Sequence, residues 1–258
     1  MNSIIIGSNK EPILNHRPER YLFIDDGSLI EQLDLPARGS ITFFDVSEHQ
    51  FTPLKGMSYL KAREFISELD SVFPEGENTL TKKGSNFILL HALLSKPKTL
   101  GTLLSDSKGP HKRDAYQKIQ MLLLSPVLER VLNHPTNPSF TGTIIAKLNR
   151  VELGEFDCFV LANLLISQYS GPVMLPDFGF YACPFHVKLI RQNRLIAGVT
   201  SLDEVPKLKS HLLQIETKTG SQCTYDDAVT LAKYAGLRPD HDHADNPYEA
   251  FIQACIAP

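Results

Sequence analysis

The stretch GPVMLPDFGFY, Gly171 to Tyr181, decides how this chain is read. Its apolar run reaches Leu175 and Pro176, meets a single carboxylate at Asp177, and continues with Phe178 and Gly179. A near-continuous apolar run bounded by turn residues suits a strand of a parallel sheet, because helices cover both of its faces. The pattern predicts a strand over Val173–Asp177. Open α/β sheets gather ligands at the carboxyl ends of their strands. Asp177 is therefore either a site residue or a turn residue whose carboxylate caps nearby N–H groups.

Working outward, other short apolar runs end in the same way. Ile4–Ile6 stops at Gly7, Tyr21–Ile24 at Asp25, Asp26 and Gly27, and Ile41–Phe44 at Asp45. Thr143–Leu148, Leu195–Thr200 and Leu212–Ile215 read as further strands. SLIEQL supplies a short helical turn. From Ser58 the period becomes helical: Leu60, Phe65, Ile66, Leu69 and Phe73 share a stripe, with Ser58 as cap and Pro74 as stop. Asn86–Leu94 and Asp114–Leu132 follow, with Asp114 a candidate cap and Pro126 a bend or break. His91, within an apolar helix, reads as a core histidine. Helices are also expected at Glu155–Gln168, near Phe185–Asn193, and at Thr224–Ala235, the last capped by Thr224 and ended by Gly236. The whole reads as an α/β fold with a mostly parallel sheet covered by helices. Residues 1–57 and 140–258 form its core, and residues 58–139 form an all-helical insertion.

With 258 residues, 42% of them hydrophobic, the chain can build a sizeable core. No apolar run approaches the roughly 18 residues of a membrane span, and MNSIIIGSNK lacks the basic flank and apolar length of a signal peptide. A soluble protein of the cytoplasm is expected, or a virion-associated one if virus-encoded. The net charge of -3 gives no global case for nucleic acid, although KGPHKR (Lys108 to Arg113) and LIRQNR (Leu189 to Arg194) are local basic clusters. Cys158, Cys183, Cys223 and Cys255 form no CxxC pair and fit reduced thiols.

The order of these segments resembles the HerA/FtsK superfamily of DNA-translocating and DNA-packaging ATPases. ERYLFIDDGSLIEQL followed by GSITFFDVSEHQFTPLKGM is similar to that family's strand–turn–helix–strand succession. Asp25, Gly27 and Asp45 match, and Thr52-Pro53-Leu54 stands where Asn-Pro-Leu is usual. GTIIAKLNRVELG and GPVMLPDFGFY look like the next core strands, and IRQNRLIAGVTSLDEV is similar to the arginine-bearing segment and sensor strand. The resemblance implies a P-loop NTPase-like core, with Asp177 in the Walker B position. It also implies Arg194, or Arg191, as an arginine finger serving a neighbouring subunit, and Thr200 and Ser201 at the sensor position.

The departures are chemical. A phosphate loop needs GxxxxGK[ST], and the chain contains no Gly-Lys pair. The positional remnant is IIIGSNKEP, where Gly7, Ser8 and Lys10 follow a strand, but Lys10 comes early and Pro12 interrupts the helix start. Few residues separate Gly7 from the next strand, so the usual loop and helix are expected to be missing. Phe178 stands where turnover usually needs a Glu to orient water; Glu204 and Asp203 lie beyond a later strand at the same expected edge. The expected protein is a non-hydrolysing scaffold or regulatory subunit of a DNA-handling or packaging assembly, acting with a protein partner or as a homo-oligomer. A divergent DNA-translocating ATPase using ATP and Mg2+, with Asp177 on the metal, is the first alternative. A metal-dependent hydrolase or nuclease built on strand-end Asp25, Asp45 and Asp177 is the second. RPDHDHADN, with His241 and His243, reads as a polar loop. CPFH, Cys183 to His186, is a two-ligand fragment.

Overall fold

The computed structural model describes residues 3–7, 9–33, 40–54, 56–73, 79–105, 110–135, 140–206, 208, 212, 217–219, 225–234 and 247–256. The described strands are β1 (Ser3–Ile6), β2 (Leu22–Asp25), β3 (Ile41–Phe44), β4 (Thr143–Lys147), β5 (Val173–Leu175), β6 (Leu195–Val199) and β7 (Thr217–Thr219). The helices named below are α1 (Tyr59–Val72), α2 (Thr79–Leu94), α3 (Leu100–Ser105), α4 (Pro110–Leu124), α5 (Pro126–Leu132), α6 (Arg150–Leu153), α7 (Glu155–Gln168), α8 (Phe178–Tyr181) and α9 (His186–Arg191). Contacts divide the chain into two compact units, residues 1–40 with 171–258, and residues 41–170.

In the first unit the strands lie in the order β2-β5-β6-β1-β7, and every described pairing is parallel. Each residue of β1, β2, β5 and β6 is buried, as a parallel sheet covered on both faces demands. The strand expected over Val173–Asp177 stops at Leu175, because Pro176 has no N–H to continue the ladder. The chain then turns at Pro176 and Asp177 into α8. Among the elements that escaped the sequence reading are a 3-10 helix over Glu11–His16, with Pro12 in its first turn, and a helix over Pro247–Ile256. Both begin with proline near the first helical position, where a missing N–H removes no hydrogen bond. The helix expected at Thr224–Ala235 is present as Tyr225–Tyr234 and packs on Pro247–Ile256. Leu212, expected in a strand, is helical; Thr224, Gly236 and the rest of that strand reading lie outside the described residues.

In the second unit β3 and β4 pair in parallel, and helices α1 to α7 accompany them. Ser58 caps α1, its hydroxyl accepting the Lys61 N–H at 3.3 Å. Phe65, Ile66 and Leu69 are buried as expected, but Leu60 is 64% exposed. Pro126 splits the long helical run: α4 ends at Leu124, and Ser125 caps α5 by accepting the Leu128 N–H. The Ser125 hydroxyl also donates to Asp157 on α7 at 2.6 Å. Asp114 is no cap, since α4 starts at Pro110 and carries it inside. His91 is no core residue either, because α2 turns it outward. Lys118 on α4 is buried and pairs with Asp70 on α1, which also accepts from Asn86 on α2. One ion pair with an added amide donor thus joins three helices.

Candidate functional site

The first unit brings its chemistry-bearing residues to the carboxyl ends of β1, β2, β5 and β6. Beyond β1, Gly7 donates to Val199 at 2.9 Å with φ of 141°, a backbone angle open to glycine. Three residues later Lys10 opens the 3-10 helix. Its ammonium donates to the Asp177 carboxylate at 2.8 Å, with the two side chains 23% and 27% exposed. Sequence reasoning treated Lys10 as misplaced for phosphate and did not pair it with Asp177. The two are 167 positions apart, and only the parallel packing of β1 and β5 around β6 brings them together.

Asp177 does not cap α8 with its side chain. Its carbonyl accepts from the Phe180 and Tyr181 N–H groups, while the carboxylate meets Lys10. Phe178 is fully buried, its ring 5.3 Å from that of His186. The position that would carry a second acid therefore faces the core. His186 is itself fully buried, and desolvation lowers its pKa to about 3, so the imidazole is neutral. Its Nδ1 accepts the Cys183 N–H at 3.2 Å, which makes CPFH a hydrogen-bonded turn.

Glu204 returns to this turn from beyond β6. It accepts the Thr200 N–H at 3.1 Å, and a Cβ placed on Gly179 would run into its carboxylate. Ser201 caps the short helix Leu202–Glu204 by accepting the Asp203 N–H. Thr200 and Ser201 thus shape the loop that carries Glu204. β6 passes close to the start of this turn as well: a Cβ on Gly198 would lie 2.5 Å from the Pro176 carbonyl oxygen.

Asp25, at the end of β2, is buried and accepts from the Gly27 and Leu29 N–H groups at 2.9 Å and from the Ser28 hydroxyl at 3.3 Å. Burial raises its pKa, and the two backbone donors oppose that shift. A carboxyl whose folded pKa lies above its unfolded value favours the folded state below the unfolded pKa, and that contribution is lost as pH rises through the folded value. Asp25→Asn keeps an acceptor oxygen and removes the buried charge. It should raise the urea midpoint at neutral pH and lose that advantage in acid. Asp25→Ala strands two N–H donors and should cost about 2 kcal/mol.

Arg194 lies at the opposite edge. It immediately precedes β6, its Nε donates to the Gly171 carbonyl at 2.9 Å, and its Nη1 donates to Gln192 at 2.8 Å. Five residues of β6 separate it from the Asp177 edge, about 16 Å of extended chain. In the second unit, Asp45 is exposed and accepts from the Ser47 N–H and hydroxyl at 2.6 and 2.5 Å; those bonds lower its pKa. Among the described residues, no group of three or more His, Cys, Asp or Glu side chains is placed to hold a metal ion. His241 and His243 lie outside the described residues. No described helix is long and apolar enough to cross a membrane.

No family model and no curated protein sequence matches the chain. Solved structures do. VirB4 of Thermoanaerobacter pseudethanolicus aligns with a TM-score of 0.60 at 8% identity, over 92% of this chain and 81% of its own. The bacterial conjugative coupling protein TrwB, in its unbound monoclinic form, aligns at 0.54 with 10% identity, over 82% of this chain and 65% of its own. TrwB in complex with ADP and Mg2+ aligns at 0.52 with 10% identity, over 82% of this chain and 67% of its own. The chain thus has a P-loop NTPase-like α/β fold, the architecture it shares with VirB4 and the coupling protein TrwB.

Proposed function

We propose that this protein is a non-hydrolysing ATPase-fold subunit, a scaffold or regulator within a DNA-handling assembly such as a transfer or packaging apparatus. The observation that carries the reading is the ion pair between Lys10 and Asp177 at 2.8 Å. In a working site the Walker B carboxylate holds a metal-bound water, and the phosphate-loop lysine reaches the nucleotide phosphates. Here a lysine from the segment after β1 is directed onto the carboxylate, so each charge satisfies the other. A six-residue 3-10 helix occupies the chain between β1 and β2, and the sequence has no Gly-Lys pair. Phe178 is buried, so the residue that follows Asp177 supplies no water-orienting acid. The fold shared with VirB4 and TrwB supports the DNA-transfer setting.

The divergent-ATPase alternative has one observation in its favour, the Glu204 carboxylate over Gly179. That carboxylate already accepts the Thr200 N–H and closes its own loop. The metal-hydrolase alternative has less support, because Asp25 is taken up by three local donors. Calorimetry with Mg-ATP, followed by phosphate release with and without DNA, separates these readings. Turnover at the buffer background is expected for the wild type and for Asp177→Ala alike. DNA-stimulated turnover that disappears in Asp177→Ala would overturn the proposal.

A further inference from the structure

The charge of this chain is unevenly distributed. Residues 79–105 contain Lys82, Lys83, Lys96 and Lys98 and no Asp or Glu, within a protein whose net charge is -3. The acid-free segment comprises α2, the turn after it and α3. On α2, Lys83, Phe87, His91 and Leu94 are all exposed, at spacings of four, four and three residues. Those spacings place them on one face, about 6 Å apart along the axis for each four-residue step. Phe87 is 71% and Leu94 41% exposed. Lys96 and Lys98 follow in the exposed turn, Lys96 with φ of 57°. Among the described residues, Lys83, Lys96 and Lys98 have no ion-pair partner. Other faces of the same helix do the packing: Leu89 and Leu93 are buried, and α2 contacts α1 and α4.

From this arrangement we infer that the outer face of α2 and the turn after it bind single-stranded nucleic acid. The inference deepens the DNA-handling reading by naming the contact surface and the form of the polymer. Lys83, Lys96 and Lys98 supply cations for phosphates, and a protein that neutralises phosphates gains affinity by releasing condensed counterions. Phe87 stands between Lys83 and His91 and presents a ring on which an unpaired base stacks; base stacking on aromatic side chains tolerates any sequence. A duplex keeps its bases stacked inside and offers Phe87 no such partner. The absence of acids matters as much as the lysines, because a carboxylate on this face would repel the backbone it had to follow.

The test uses the full chain, with fluorescence anisotropy of a labelled oligothymidylate across a salt series. Wild-type binding is expected to weaken steeply with salt. The combined variant Lys83→Glu, Lys96→Glu and Lys98→Glu should bind more than tenfold more weakly. Losing three phosphate contacts should also flatten the log–log salt slope by about 2. Phe87→Ala should weaken binding to the oligonucleotide about tenfold and leave any residual duplex binding unchanged. Far-ultraviolet circular dichroism and the melting temperature confirm that each variant is folded. The inference is overturned if the wild type does not bind, or if the triple variant binds like the wild type. It is also overturned if the protein prefers phosphatidylserine vesicles, polyglutamate or duplex DNA to the single strand. These outcomes do not depend on nucleotide: a protein inert to ATP can pass, and an active ATPase can fail.

Discussion

Phe178→Glu is expected to lower stability by about 4 kcal/mol or more without producing ATP turnover. Placing an acid after Asp177 is the obvious repair if this strand is viewed as a motor strand that lost its catalytic residue. The structure predicts failure for a packing reason. Phe178 is fully buried against His186, and emptying a buried phenylalanine site costs about 3–5 kcal/mol before any charge is considered. A carboxylate there must either stay neutral or draw water into the core. For a chain of this length the loss corresponds to roughly 8–16 °C in melting temperature. Thermal melts and phosphate release on the purified variant check both parts. A stable, folded Phe178→Glu protein that hydrolyses ATP would show that position 178 can face the site.

Gly198→Ala is the second large effect, expected to cost about 3 kcal/mol. The added methyl would lie 2.5 Å from the Pro176 carbonyl oxygen. That oxygen belongs to backbone held between β5 and α8, so relief requires strand movement. Gly179→Ala is the matched control. Its methyl would meet the Glu204 carboxylate, which can rotate away at the loss of its Thr200 hydrogen bond, so the expected change is smaller, about 1–2 kcal/mol. Urea midpoints for the pair should therefore differ clearly, although both glycines flank the same turn. Equal midpoints would mean that the backbone of this turn yields as easily as a side chain.

Most of the architecture was legible because it rests on local pattern. Buried parallel strands are largely apolar, so β1, β2, β5 and β6 announced themselves, while Ser58 marked a real helix start and Pro126 a real break. Errors arose where one residue has two uses. His91 and Leu60 sit within apolar helical runs yet face outward, because periodicity shows that a face exists without showing what covers it. Asp114 has the chemistry of a cap, but the helix had already begun at Pro110.

By itself the sequence determined the fold class: apolar runs of strand length ending in Gly or Asp, alternating with helical stretches, permit a covered parallel sheet and little else. It also determined that the chain contains no Gly-Lys pair, since that motif is a matter of residue order alone. The tertiary structure alone decided what the residues at the sheet edge do. Asp177 meets Lys10, Phe178 turns into the core, Glu204 folds back over Gly179, and Arg194 stays at the far edge. The physical reason is range. A strand is specified by its neighbours in sequence, whereas a charge is specified by whichever group the packed strands carry to within about 3 Å of it.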